Sequence, residues 1–159
     1  MIRLQFVCGG SLSSQAIAWF SQGHLSHVDA ILPDGTLLGA RSDRIRGIEP
    51  GVRIRPGAYE RWSSRVVFTL PSTVEQEAAF HGYLRRQIGK PYDHTAIWGF
   101  VLNRNWRESD SWICSELQAA ALEHAGLVPN LYLSANKMTP VAVALVTSAI
   151  GAQIKTFNA

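Results

Sequence analysis

Two of the 159 residues are cysteine and five are histidine, so chemistry by a thiol and an imidazole is the first to consider. Cys114 lies in Ser111-Trp112-Ile113-Cys114-Ser115-Glu116-Leu117, where a helix is expected to start at Asp110 or Ser111 and to stop at Gly126. In the first turn of a helix the backbone N–H groups have no partner within the helix, and the dipole favours an anion. A thiolate is an anion, so this placement makes Cys114 a candidate nucleophile, and the same N–H groups can stabilise the oxyanion of a tetrahedral intermediate. A cysteine packed as a small apolar side chain fits the local context equally well.

Histidine is the natural base for such a thiol. His81 and His124 fall on expected helices and read as surface residues; His24 sits in a loop beside Gly23, and His94 follows a loop at Pro91. His27 opens an expected strand, which would hold its ring rigidly at a sheet edge. Spacing does not choose among the five, because most of the chain separates Cys114 from His27. Asp29, two residues on, faces the same side of that strand and can polarise the His27 ring or pair with a nearby arginine. Tyr92 and Asp93, in Gly89-Lys90-Pro91-Tyr92-Asp93, are candidates for shaping a pocket or for a proline-initiated turn. Ser26 and Trp112 join them as candidate substrate contacts, and Trp98 and Trp106 could line a cleft or fill the core. No His, Cys and carboxylate residues cluster at ligand spacing, so neither a metal nor a cofactor is expected.

The elements that must position these residues follow from periodicity. Residues 2–7, 27–32, 36–40, 52–55 and 65–70 read as strands, with Pro33-Asp34-Gly35 turning the second into the third. Residues 11–20 read as a helix. A second helix is expected over 72–88, with Ser72 and Glu75 forming a capping box and Ala78, Leu84 and Ile88 facing inward. The segment 95–102 can be helical, 127–133 is irregular or a short strand, and the tail after Thr139 reads as helix. The predicted class is α+β: one domain over 1–159, with an antiparallel sheet from the middle of the chain and helices before and after it.

Composition narrows the partners. The chain is 47% hydrophobic and 17% charged, with a formal net charge of +3. Arg41, Arg44, Arg46, Arg53 and Arg55, with Arg61 and Arg65 beyond, form a loose basic cluster. No zinc finger, P-loop or aromatic-studded RNA motif accompanies it, so nucleic acid is not the expected partner. Cys8 and Cys114 make no disulfide framework, which suits a reducing compartment. The first seven residues lack the apolar core of a secretory signal, and the apolar run 141–152 falls short of the roughly 20 residues that span a bilayer. The expectation is a soluble, cytoplasmic protein.

Three short motifs in order, Ser26-His27-Val28, Gly89-Lys90-Pro91-Tyr92-Asp93 and Cys114-Ser115-Glu116-Leu117, resemble the circularly permuted branch of the NlpC-type papain-like hydrolases, the YiiX-like proteins, over residues 2–145. In the ordinary order the cysteine precedes the histidine; here the histidine strand comes first. The resemblance implies a papain-like core, in which a cysteine at a helix N-terminus packs against a small antiparallel sheet or half-barrel carrying the histidine. It implies Cys114 as nucleophile and His27 as general base and acid in a cysteine peptidase or amidase. The implied substrate is a cell-wall peptide or isopeptide bond, and the implied source a bacteriophage or prophage. The family places a Glu before an Ala on the strand after the histidine. Gly39 stands there, before Ala40; Asp29 is a candidate substitute for the orienting acid, with Ser42, a backbone carbonyl or a water as the other options. The alternatives are a lipid or ester acyltransferase using the same Cys–His pair, and a non-catalytic binding or phage structural module that kept the fold.

Overall fold

The structure, a computed structural model, describes residues 1–8, 25–57, 59, 64–93, 111–129 and 138–158. The expected helix at 11–20, the segment at 95–102, and His24, His94, Trp98, Trp106 and Arg61 lie outside the described residues.

Six strands and three helices are described: β1 (Ile2–Cys8), β2 (His27–Ile31), β3 (Leu37–Arg41), β4 (Gly51–Arg55), β5 (Ser64–Leu70), α1 (Val74–Arg86), α2 (Cys114–His124), α3 (Pro140–Ala149) and β6 (Gln153–Asn158). The strands form one antiparallel sheet in the order β4-β3-β2-β1-β5-β6. The fold is therefore α+β. The turn between β2 and β3 is held by Asp34, whose Oδ1 accepts from the backbone N–H of Thr36 at 2.9 Å and from its hydroxyl at 2.6 Å.

Side chains alternate across a strand, and the two faces of this sheet differ. One face carries Ile2, Leu4, Phe6, Val28, Ala30, Leu38, Ala40, Val52, Phe68 and Leu70 into the main core. There they meet Phe80 and Leu84 of α1, Leu117 and Leu122 of α2, and Val143 of α3. Each such buried aliphatic or aromatic side chain contributes about 1.5–3 kcal/mol of transfer free energy. The other face holds a smaller apolar group, Ile31, Leu37, Tyr59 and Val67. The same face of the strands carries the buried polar residues Gln5, Asp29, Arg41 and Arg55. An antiparallel sheet often leaves its second face to water. Here β2 and β3 are buried along their whole length.

Four local expectations are corrected. The capping box of α1 is formed by Thr73 and Gln76, one residue later than Ser72 and Glu75, and the Ser72 hydroxyl is buried without a partner. Phe80 and Leu84 face the core, whereas Ala78 and Ile88 are exposed, because the later start rotates the buried stripe. The tail is helical only to Ala149. Beyond Gly151 it turns back as β6, which pairs with β5 from Ser64↔Asn158 to Thr69↔Gln153. Finally, two of the clustered arginines are not solvated: Arg41 and Arg55 are 6% and 1% exposed and engaged within the fold, whereas Arg44, paired with Glu49, and Arg46 are exposed.

Candidate functional site

Cys114 is the first residue of α2. Ile113 precedes it in an extended conformation, and no side chain caps the helix; the helical hydrogen bonds begin with Leu117 N–H donating to the Ile113 carbonyl at 3.1 Å. The Cys114 side chain therefore sits beside the open N–H groups of the first turn, where a developing oxyanion is favoured. A chain of contacts fixes this helix end. Trp112 N–H donates to the Pro91 carbonyl and Asp93 N–H to the Trp112 carbonyl, both at 3.1 Å, so residues 91–93 run alongside 111–113 as a short parallel bridge. The Trp112 indole N–H donates to Gln87 Oε1 at 3.1 Å, at the end of α1. The loop before Pro91 is tied in turn to the β4 edge, where Val52 N–H donates to the Lys90 carbonyl at 2.9 Å and Gly89 N–H to the Val52 carbonyl at 3.1 Å. Across the sheet, Gln118 Nε2 donates to the Leu38 carbonyl at 3.0 Å and pins α2 to β3.

His27 is the first residue of β2, where Ser26 N–H donates to the Val7 carbonyl at 3.0 Å. Its ring lies near enough to Cys114 to feel the charge of the thiol. Its Nε2 stands 2.9 Å from Oδ1 of Asp29. The ring N–H is not aligned on that oxygen, so the contact is a close charge–charge pairing more than a straight hydrogen bond. Burial disfavours the charged ring, but Asp29 and then Cys114 outweigh it, and the pKa of His27 is pushed up to about 9. Burial likewise works against ionised Asp29, yet His27 foremost, then Tyr59 and Arg41, hold its carboxyl below the usual carboxylate range.

The acid is seated by neighbours that the sequence did not announce. Tyr59 donates its hydroxyl to Asp29 Oδ2 at 2.8 Å. Arg41 Nη1 donates to the Tyr59 oxygen at 3.1 Å, while Arg41 Nε and Nη2 hold Asp43 at 2.8 and 3.1 Å. Arg55, 1% exposed, donates to the carbonyls of Gly39 at 3.1 Å and Gly51 at 3.2 Å. Gly39 presents no side chain toward Asp29; a Cβ there would lie 1.9 Å from Asp29 Oδ1.

Of the residues singled out from sequence, Cys114, His27 and Asp29 come together. Tyr92 is buried beside them: burial and then the charge of Cys114 push its phenol well above the ordinary range. Trp112, Asp93 and Ser26 are buried in the framework, with Ser26 Oγ donating to the Val7 carbonyl at 3.3 Å. Of the other histidines, His81 is half-buried on α1, and His124 is exposed against Arg86 Nη2 at 3.1 Å. In the sequence Arg41 stands only as a member of the basic cluster and Tyr59 carries no local signal; their tertiary partners mark them.

No protein-family model matches the chain, and no curated protein matches it. Among solved structures, one described as the metalloprotein yiiX from Escherichia coli O157:H7 superposes with a TM-score of 0.57 at 21% sequence identity. The match covers 77% of this chain and 64% of that one. This corrects the expectation of a cysteine peptidase or amidase, together with its cell-wall substrate and phage source: the shared fold is that of a protein described as a metalloprotein. Cys114 and His27 are 3% and 7% exposed. The residues here do not fit a metal. Among the described residues no three His, Cys, Asp or Glu side chains gather as ligands, and the Asp29 oxygens are turned to His27 and Tyr59. The α+β fold of this chain, with its six-stranded antiparallel sheet, is similar to that of YiiX over the matched part.

Proposed function

We propose that the site carries an acyl group on Cys114, taken from an ester or thioester and passed to an acceptor, on a permuted papain-like fold. The observation that carries this reading is buried His27, with Nε2 2.9 Å from Asp29 Oδ1, lying near enough to buried Cys114 to feel its charge. The order of elements supports the permuted fold, since the histidine strand precedes the cysteine helix.

In the forward step Cys114 Sγ forms a bond to the acyl carbon, and the bond from that carbon to the leaving oxygen or sulfur breaks. The first-turn N–H groups of α2 stabilise the oxyanion between these events. His27 gives its proton to the leaving group. In the second step the acceptor attacks the acyl carbon and gives its proton to His27, the bond from that carbon to Sγ breaks, and the starting thiolate and protonated His27 return. The leaving group decides the substrate class. A thiol, with an ordinary pKa near 8.5, departs with little help from an acid. An amine leaving group makes a much heavier demand on the acid. A buried thiol also suits an acyl chain that arrives end-on.

The test is intact-protein mass spectrometry after incubation with a short-chain acyl thioester and with a p-nitrophenyl ester. One acyl group is expected on Cys114, absent in Cys114→Ser and strongly slowed in His27→Ala. If the wild-type protein gains no acyl mass from either donor, the acyl-transfer reading falls and a non-catalytic binding role replaces it.

A further inference from the structure

Tyr59 takes no part in the acyl-transfer steps, yet it makes the only side-chain hydrogen bond to Oδ2 of Asp29 given by the described residues. It lies on the sheet face opposite the main core, with its ring packed among Ile31, Leu37 and Val67 and 2% of its surface exposed. Burying a phenol hydroxyl costs free energy unless it is hydrogen-bonded, and this one is bonded on both sides. It donates to Asp29 at 2.8 Å and accepts from Arg41 Nη1 at 3.1 Å. The guanidinium of Arg41 also lies 5.4 Å from the centre of the Tyr59 ring and is anchored by Asp43. The result is one connected line of side chains, Asp43, Arg41, Tyr59, Asp29 and His27, ending near Cys114.

We propose that Tyr59 is a positioning residue of this site: held by Arg41, it fixes the rotation of the Asp29 carboxylate so that Oδ1 stays on His27. This rests on the acyl-transfer reading, in which His27 must hold and release a proton beside Cys114.

The geometry gives the hydroxyl that role. A carboxylate has two oxygens on one rotatable bond, and a bond to Oδ2 from a fixed donor sets where Oδ1 points. The contact from Oδ1 to His27 is off-axis, so it attracts the carboxylate but sets its rotation less sharply than the Tyr59 hydrogen bond to Oδ2 does. Gly39 on β3 gives Asp29 its space and no polar group of its own side chain. The charged groups around the carboxylate are His27 on its own strand, Arg41 with Asp43 at the end of β3, and Arg55 on β4. Two of these are arginines. Without the Tyr59 hydroxyl, Arg41 loses its neutral partner and is free to draw the carboxylate away from His27. Tyr59 thus separates Arg41 from Asp29 while transmitting its hold.

The variant is Tyr59→Phe, which keeps the ring among Ile31, Leu37 and Val67 and removes only the hydroxyl. The readouts are the titration midpoint of the His27 ring by NMR and the pH profile of Cys114 alkylation by iodoacetamide, each measured alone and in an Asp29→Asn background. The midpoint is expected to fall by at least ~0.5 unit, with alkylation at neutral pH slowing by about threefold or more, as one unit corresponds to tenfold. Both changes should shrink to near nothing in the Asp29→Asn background, because Tyr59 acts through that carboxylate. A purely structural Tyr59 would lower the melting temperature and leave the His27 midpoint in place, and that result overturns the proposal. Equal effects of Tyr59→Phe with Asp29 and with Asn at position 29 overturn it as well. A wild-type protein that gains no acyl mass on Cys114 from either donor would instead remove the acyl-transfer reading beneath it.

Discussion

A Cβ at position 39 would lie 1.9 Å from Oδ1 of Asp29 and 3.0 Å from its carboxyl carbon, so the glycine on β3 and the acid on β2 occupy one space between them. The β2–β3 register, Ala30↔Leu38 and Ile31↔Leu37, continues to bring Asp29 opposite Gly39. The acid that the family resemblance led one to look for at position 39 is therefore supplied from across the ladder. Its carboxylate stands where a side chain at 39 would begin.

Gly39→Ala should accordingly do more than fill a gap. Overpacking a tight site costs about 1–3 kcal/mol, and here the displaced group is an ionised carboxylate held by His27 and Tyr59. The variant should lose stability in urea denaturation and lose rapid Cys114 alkylation together. In Gly39→Ala/Asp29→Ala the clash is gone, so stability should partly return while alkylation does not. A Gly39→Ala protein as stable and as reactive as wild type would show that the carboxylate moves aside freely.

The His27–Asp29 pairing sets a pH window for stability. His27 is raised in the folded state to about 9 from 6.5, so its contribution is full below about 6.5 and is lost as pH rises through 9. At 1.36 kcal/mol per unit this is about 3 kcal/mol at most, shared with Asp29 and not added to it. Asp29 is lowered, so its contribution is present above 3.8 and is lost as pH falls through its folded value. Urea midpoints measured from pH 5 to 10 should hold steady to about 6.5 and then decline. In Asp29→Asn that alkaline decline should largely vanish; a wild-type midpoint that stays level to pH 9.5 contradicts the pairing.

How far the sequence discloses this site depends on the range of the physics involved. The five strands from Ile2 to Leu70 are legible because β-branched alternation and the Pro33-Asp34-Gly35 turn are local. The Cys114 helix is legible from its flanking residues, although the expected start at Asp110 or Ser111 is too early. The strand Gln153–Asn158 is hidden because it follows an apolar run whose pattern continues the helix, and only Gly151 marks the break. The contact of Cys114 with His27 spans most of the chain, so local rules give two candidates without joining them; the order of three motifs joins them. The burial of Arg41 and Arg55 is beyond any local rule. A charged side chain in a basic run reads as solvated, and what reverses that is a tyrosine from a loop and a pair of backbone carbonyls.

The α1 capping box offers a control that should affect stability alone. Thr73 accepts from Gln76 N–H at 3.2 Å, and Gln76 Oε1 accepts from Thr73 N–H at 3.0 Å, both at an exposed helix end. Thr73→Ala should cost about 1 kcal/mol by chemical denaturation. Below the unfolding transition its Cys114 alkylation profile should overlay that of wild type. Altered reactivity in this variant would mean that α1 transmits more to the site than its contacts at Gln87 and Trp112 convey.

Gly51 tests the opposite case, a residue remote from the thiol in sequence but joined to it through backbone. Its φ is +100°, a conformation that side chains other than glycine's rarely adopt, and a Cβ there would lie 2.4 Å from the Lys90 carbonyl oxygen. That carbonyl accepts from Val52 N–H, and the next residues, 91–93, run beside 111–113 up to Cys114. Backbone cannot swing aside as a flexible side chain can. Gly51→Ala should therefore push Lys90 and Pro91 off the β4 edge and loosen the start of α2, at a cost of about 1–3 kcal/mol. Hydrogen exchange should rise at Trp112 and Asp93 N–H, with faster, less pH-dependent alkylation of Cys114 as the thiol leaves its burial against His27. If the variant instead loses the same stability with exchange confined to β4, the loop from Gly89 to Asp93 does not carry the position of the nucleophile.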